Sequence, residues 1–290
     1  MPSQTNASRR NLFARSFTAA VTAASLIGLT ATSALGWGGD GHRAVAAVAI
    51  KLLSPEKAAA LEKLMQSSEV GRSFEDSASY ADEFIRSHDP EHRFGPWHFV
   101  NWPVAKPKFS QSFCGPHCLV SELPKQIELF AESNDNEVRA LALSWIIHLV
   151  GDMHQPLHIA DRNDQGGNQL FIQYPADEPG CDAGKQKLHH VWDDCLVKLA
   201  EQGRSWSDFA DALRGNLTTY KNQPAARGTI MQWAKTSHDL ARDVAYSGIR
   251  QKTALSAAYL NRSEKIVKSQ ILNAGIRLAR IIDENFKLAP

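Results

Sequence analysis

Two histidine–aspartate pairs, His148 with Asp152 and His189 with Asp193, stand four residues apart in a chain that holds eleven histidines. This spacing limits the possible folds more than any other feature of the sequence. Residues i and i+4 share one face of an α-helix, so each pair predicts a helix that projects an imidazole and a carboxylate toward one point. Together they bind a cation, and the mixture of nitrogen and oxygen favours zinc over magnesium or calcium. In the segment His148-Leu149-Val150-Gly151-Asp152-Met153-His154-Gln155-Pro156-Leu157-His158, Pro156 is expected to bend or end the helix and let His158 reach a second point. One such pair alone is more often a packed or surface feature. Two, with a further histidine after a proline, predict metal binding. His154 and His190 need not be ligands, and His88, His92, His117 and His238 are expected at the surface or behind the ligands.

The rest of the chain also reads as helix. Ser54-Pro55 is an N-cap followed by proline at the first helical position, with Ala58, Leu61, Leu64 and Met65 on one face. Asn134-x-x-Glu137 resembles a capping box before the apolar run Leu141 to Val150. Val267, Ile271, Ala274, Leu278 and Ile282 form one buried stripe on a long C-terminal helix. Strand patterns are scarce: Leu170 to Tyr174 is a short candidate, and Trp102–Leu123 and Ala160–Lys187 read as loops. No linker divides the body and no repeat of roughly 20–50 residues is present, so one all-α domain over residues 37–290 is expected. No apolar run of about 18 residues lies in it, which excludes a polytopic membrane protein. Lys+Arg is 32 against Asp+Glu 31, which excludes a generally basic surface that coats phosphates.

Residues 1–36 read as a cleaved export signal. Arg9, Arg10 and Arg15 occur without acids, an Ala/Thr-rich stretch runs from Phe17 to Leu35, and Ala34-Leu35-Gly36 offers small residues for cleavage. The paired arginines followed by Asn11-Leu12-Phe13 suit a twin-arginine route; general secretion and a membrane anchor are the alternatives. The product is expected to be periplasmic or secreted. Loss of the leader leaves a slightly acidic body, so a polyanionic substrate has to be held by a local positive site such as bound metal. Export also favours disulfides among Cys114, Cys118, Cys181 and Cys195. The local pairings Cys114–Cys118 and Cys181–Cys195 are one of three possible sets, and a metal site from Cys114, His117 and Cys118 is a rival.

Cleavage before Trp37 would leave Trp37-Gly38-Gly39-Asp40-Gly41-His42 at the new terminus. A free α-amine titrates near about 8 and ligates metal once deprotonated. Six motifs then follow in order: Trp37-Gly-x-x-Gly-His42, Ser79-Tyr-Ala-Asp82-Glu, Trp97-His98-Phe99, His148-x3-Asp152-x-His-Gln-Pro-Leu-His158, Gly166-Gly167-Asn168 and His189-x2-Trp192-Asp193. In these the chain resembles the S1/P1 nuclease family, which is related to zinc phospholipase C, as a bacterial-type exported member. The resemblance implies a multi-helix phospholipase C/P1 nuclease-like fold and three Zn(2+) ions. It implies Asp82, His98, His148 and Asp152 at the first, His158, His189 and Asp193 at the second, and the Trp37 amine and carbonyl with His42 at the third, with Asp152 as a bridge. Asp82 and His98 carry no local mark; the resemblance alone singles them out. Three or four ligands per zinc with open positions is a catalytic arrangement.

The resemblance implies hydrolysis of 3′-O–P bonds in single-stranded DNA and RNA to 5′-phosphorylated products, with 3′-nucleotidase activity. Two zinc ions sharing Asp152 would hold a water between them and lower its pKa toward about 7. Phe99 matches the family's base-stacking position, and Asn101 and Asn168 fall beside it and in the Gly-Gly-Asn motif. Asn101 departs from the fungal enzymes, which tend to carry an acid there, and Lys187 stands where the family often has asparagine. Arg86, one turn beyond Asp82, is a candidate phosphate donor, although the family's arginine stands one residue closer to the aspartate. A phospholipase C acting on phospholipid and a non-catalytic zinc-binding protein are the alternatives, and no stable protein partner is implied.

Overall fold

Asp135 accepts a hydrogen bond from the Glu137 backbone and starts the helix around which the others pack. The structure is a computed structural model and describes residues 36–89, 91 and 93–288; the expected export signal up to residue 35 lies outside them, as does His92. In chain order the helices are α1 (Gly39–Ile50), α2 (Pro55–Gln66), α3 (Tyr80–His88), α4 (Leu119–Glu132) and α5 (Asn136–His154). A hairpin of β1 (Phe171–Tyr174) and β2 (Gly184–Lys187) follows. Then come α6 (Leu188–His190), α7 (Leu196–Glu201), α8 (Trp206–Arg214), α9 (Ile230–Leu240) and α10 (Ala257–Asn285). The class is all-α, and among the described residues no helix is long and apolar enough to cross a membrane.

Helix α5 is apolar on every side because it lies inside the molecule: Ala140 and all residues from Ala142 to His154 are buried. Helices α1, α4 and α10 pack against it, and α10 also packs on α1 and α7. The expected stripe on α10 is in place, with Val267, Ile271, Ala274, Leu278 and Ile282 fully buried. Helix α1 is narrow because it is built from alanine and valine, so α10 comes close: a β-carbon on Gly275 would lie 2.5 Å from Val48 Cβ. Ser54 caps α2 with Pro55 at its first turn, and Leu61, Leu64 and Met65 face inward.

Four local expectations need correction. The cap of α5 is Asp135, not Asn134, so no Asn134–Glu137 box forms. The stretch 102–123 is not all loop, because α4 begins at Leu119 and continues through Pro124. Its start is secured by Cys118, where Ser121 closes a reciprocal cap and a disulfide joins Cys114. Within 160–187, the unpatterned residues Gly184–Lys187 pair antiparallel with β1, Phe171 opposite Lys187. His238 is buried rather than at the surface and stacks on Trp102 at 4.2 Å; His154, also buried, accepts from Arg277 at 2.6 Å.

Candidate metal centre

Eight histidines and aspartates from six segments converge on the buried end of α5. His148 and Asp152 occupy its last two turns, and His42 comes from the first turn of α1. Asp82 comes from the first turn of α3, and His98 ends a short 3-10 turn, Gly95–His98. Pro156 ends α5, and the 3-10 turn Pro156–His158 carries His158. His189 and Asp193 lie where α6 widens into a π-turn, Val191–Cys195, a local unwinding common at functional sites. All eight are at most 8% exposed. Burying so many ionisable groups is costly unless they are paired or bind a cation.

Four groups form the first cluster. His148 Nε2 is 3.0 Å from His98 Nδ1 and 3.3 Å from Asp152 Oδ2, and His98 Nδ1 is 2.9 Å from the same oxygen. Asp82 Oδ1 closes the figure at 3.8 Å from His98 and 3.6 Å from His148. Donor atoms about 2.0–2.1 Å from a tetrahedral zinc lie about 3.3 Å apart, and these edges bracket that length.

The second cluster carries the clearer signal. His158 Nδ1 donates to the His98 carbonyl at 2.7 Å, and His189 Nδ1 donates to the Gly166 carbonyl at 2.6 Å. With both protons committed outward, both Nε2 atoms bear lone pairs, and they face each other at 3.1 Å. Two acceptors in van der Waals contact repel unless a cation sits between them. Asp193 Oδ2 lies 3.3 Å from His189 Nε2. His148 is oriented in the same way, its Nδ1 donating to the Ala78 carbonyl at 2.8 Å.

Asp152 faces both ways. While Oδ2 belongs to the first cluster, Oδ1 lies 3.3 Å from His42 Nε2, so one carboxylate serves two candidate points. The His42 ring is stacked on His148, centroids 4.1 Å apart. Gly151 provides the space, since a β-carbon there would lie 2.5 Å from His42 Nδ1. Trp37 is fully buried beside Gly41, and Gly36 precedes it against the same corner, where a β-carbon on Gly36 would overlap Asp152 Oδ1.

The electrostatics are those of a site built for cations. Burial, and then His148, lower His42 to about 4; burial, and then His158, lower His189 to about 3. Burial lowers His158 as well. Burial also opposes a charge on His148, but Asp152 and Asp82 outweigh it and raise His148 to about 9. Burial would raise Asp152, yet the imidazoles of His148 and His158 hold it well below the usual carboxylate range. Asp193 has no such help: burial pushes it well above that range against the hydrogen bond from Gln155, and Asp194, Asp152 and Asp82 add to the push. An ionised Asp193 at neutral pH therefore calls for a cation beside it.

The other residues singled out by sequence lie around this core. Phe99 is half-buried directly after His98, and Asn101 is exposed. Asn168 donates to the Gln165 carbonyl at 3.1 Å in the loop that presents Gly166. Arg86 is exposed at the end of α3. The cysteines pair as Cys114–Cys118 and Cys181–Cys195, which overturns the rival metal site at Cys114, His117 and Cys118; His117 instead pairs with Glu122 at 2.7 Å. The second disulfide pins the π-turn that carries Asp193. Gln155, Gly151 and the carbonyls of Ala78, His98 and Gly166 were not legible as site parts. Gln155 and Gly151 sit inside the His148–His158 motif, which is the one signal that could have drawn attention to them.

A family profile described as S1/P1 Nuclease matches residues 37–287. Endonuclease 4 of Arabidopsis thaliana is 28% identical over 89% of this chain and 91% of its own length. Nuclease S1 of Aspergillus oryzae is 25% identical over 86% and 91%, and Nuclease P1 of Penicillium citrinum 27% identical over 86% and 97%.

Proposed function

Because this chain belongs to the S1/P1 nuclease family, we propose that its buried histidine–aspartate centre hydrolyses phosphodiesters of single-stranded DNA and RNA with zinc. It is a hydrolase acting on ester bonds, an endonuclease like its named relatives. The single observation that carries the zinc assignment is the pair of imidazole lone pairs facing each other at 3.1 Å beside a carboxylate. Asp82, His98, His148 and Asp152 would hold a first ion, and His158, His189 and Asp193 a second. His42 and Asp152, with the amine and carbonyl of Trp37 once the chain begins there, would hold a third.

Bound zinc supplies Lewis acidity, which activates a water and draws charge from phosphate oxygens. The protein supplies the frame. Carbonyls of Ala78, His98 and Gly166 fix the tautomers of His148, His158 and His189, so each presents Nε2 without reorganisation. The surrounding core, Trp145 packed 5.7 Å from the His98 ring among it, keeps these groups in one arrangement. Phe99 offers a face on which an unpaired base stacks, and single strands are preferred because their bases splay out. Asn101, Asn168 and Arg86 are assigned to substrate contacts. Scission of the 3′-O–P bond gives 5′-phosphorylated products, and the same site removes 3′-phosphates from nucleotides. The protein acts outside the cytoplasm, periplasmic or secreted, as two disulfides suit, after removal of residues 1–36 from a 37–290 domain.

The test uses protein beginning at Trp37, loaded with zinc and given single-stranded DNA, RNA or phosphatidylcholine with and without chelator. Chelator-sensitive release of 5′-phosphorylated nucleotides is expected. Turnover of the lipid without nucleotide release would overturn the nuclease assignment in favour of phospholipase C.

A further inference from the structure

Gln155 is fully buried at the C-cap of α5, between His154 and His158 of the central motif, and none of the ion assignments uses it. Its amide spans two parts of the second cluster. Oε1 accepts from the Leu157 backbone N–H at 2.5 Å, in the turn that carries His158. Nε2 donates to Asp193 Oδ1 at 2.6 Å. The orientation of the amide is not free: the Leu157 N–H can only donate, so oxygen must face it and the NH2 must face Asp193.

We propose that Gln155 is a positioning residue that occupies one oxygen of Asp193 and leaves only Oδ2 for the metal. This rests on the zinc assignment above. Oδ1 lies 3.9 Å from His158 Nε2, whereas Oδ2 lies 3.3 Å from His189 Nε2. With Oδ1 hydrogen-bonded, Asp193 ligates through a single oxygen. A carboxylate free to bind through both would fill a coordination position that a catalytic site keeps open for water or phosphate. The turn that bears Gln155 is itself anchored from α10: Arg277 donates to His154 Nε2 at 2.6 Å, and Gln270 donates to the His154 carbonyl at 2.9 Å. Gln155 is therefore held from behind while it holds Asp193 in front.

Two variants separate this role from simple packing. Gln155→Glu keeps an acceptor for the Leu157 N–H but turns an oxygen toward Asp193. Gln155→Met removes both hydrogen bonds at similar shape and adds no charge, so it decides the matter if the first variant does not fold. Protein beginning at Trp37 is stripped of metal, equilibrated across a buffered series of free zinc, and its zinc per chain measured by plasma mass spectrometry. One ion is expected to weaken by about 10–100-fold, as for other outer partners of metal ligands, with the remaining ions at parental affinity. For Gln155→Met, whose Asp193 is free to bind through both oxygens, the kcat/KM on single-stranded DNA should stay below the parental value even at saturating zinc. Parental affinity for every ion, or an equal weakening of all of them, would overturn the proposal. Failure of the parent itself to take up zinc would overturn the zinc assignment instead.

Discussion

Gly151→Ala is an addition of one methyl to the interior of a helix, and by propensity alone it should stabilise α5 by about 1 kcal/mol. The structure predicts the opposite. The new β-carbon would lie 2.5 Å from His42 Nδ1 and 2.7 Å from its Cε1, nearly 1 Å inside ordinary contact. The ring cannot simply retreat, because His148 is stacked on it with centroids 4.1 Å apart. Overpacking of this kind costs about 1–3 kcal/mol, so the net change in stability should be a loss of about 0–2 kcal/mol. The larger effect falls on the metal. His42 Nε2 sits 3.3 Å from Asp152 Oδ1, and a ligand tolerates displacements of only about 0.2 Å. Loss of affinity for one ion by tenfold or more, about 1.4 kcal/mol, is expected. Gly275→Ala is the matched control: its β-carbon would lie 2.5 Å from Val48 Cβ and 3.0 Å from the Val45 carbonyl, in the α1–α10 contact. With the same propensity gain set against overpacking, it should destabilise by about 0–2 kcal/mol with zinc unchanged. Urea unfolding and zinc per chain are the assays. Gly151→Ala with parental zinc and nuclease activity would refute the steric reasoning, as would loss of zinc from Gly275→Ala.

Asp152→Asn preserves shape but removes the charge shared by the first cluster and the His42 corner, so nuclease activity and at least one zinc should be lost together; full activity would show that no ion depends on that carboxylate. A chain that keeps residues 1–36 should bind less zinc than one beginning at Trp37, since an amide replaces the amine and Gly36 crowds Asp152 and His42; equal zinc in both forms would remove Trp37 from the ligands. Burial, with Asp40 nearby, raises Glu201 from 4.5 to about 7. A carboxyl raised on folding contributes stability that is whole below its unfolded pKa and is lost as pH rises through its folded one. Glu201→Gln should therefore gain on the parent between about pH 5 and pH 8, by no more than about 3 kcal/mol; a constant difference across that range in urea unfolding would contradict it.

Much of the fold was legible because helix patterns are local. The stripe on α10 and the cap of α2 needed only residues within a few turns of each other. Helix α4 was not legible, because Pro124 argues for a break and the cap at Cys118 depends on a disulfide and a serine. The strand Gly184–Lys187 has no pattern of its own and exists through its pairing with Phe171–Tyr174. In the site, His148, Asp152, His158, His189 and Asp193 were legible from spacing. Asp82 and His98 had no local signature and came forward only through the family resemblance.

Local sequence was enough to say that two imidazole–carboxylate pairs would each share a helical face, that Pro156 would end α5, and that the chain would be helical. These follow from backbone periodicity and from the missing amide hydrogen of proline, which act over a few residues. Packing of distant segments settled how the pairs are completed. His98 meets Asp152 across 54 residues, and His148 is oriented by the Ala78 carbonyl across 70. It also decided which nitrogen each imidazole presents and which oxygen of Asp152 faces which cluster. Those directions are set by carbonyls and side chains brought together when the helices pack, and no spacing along the chain encodes them.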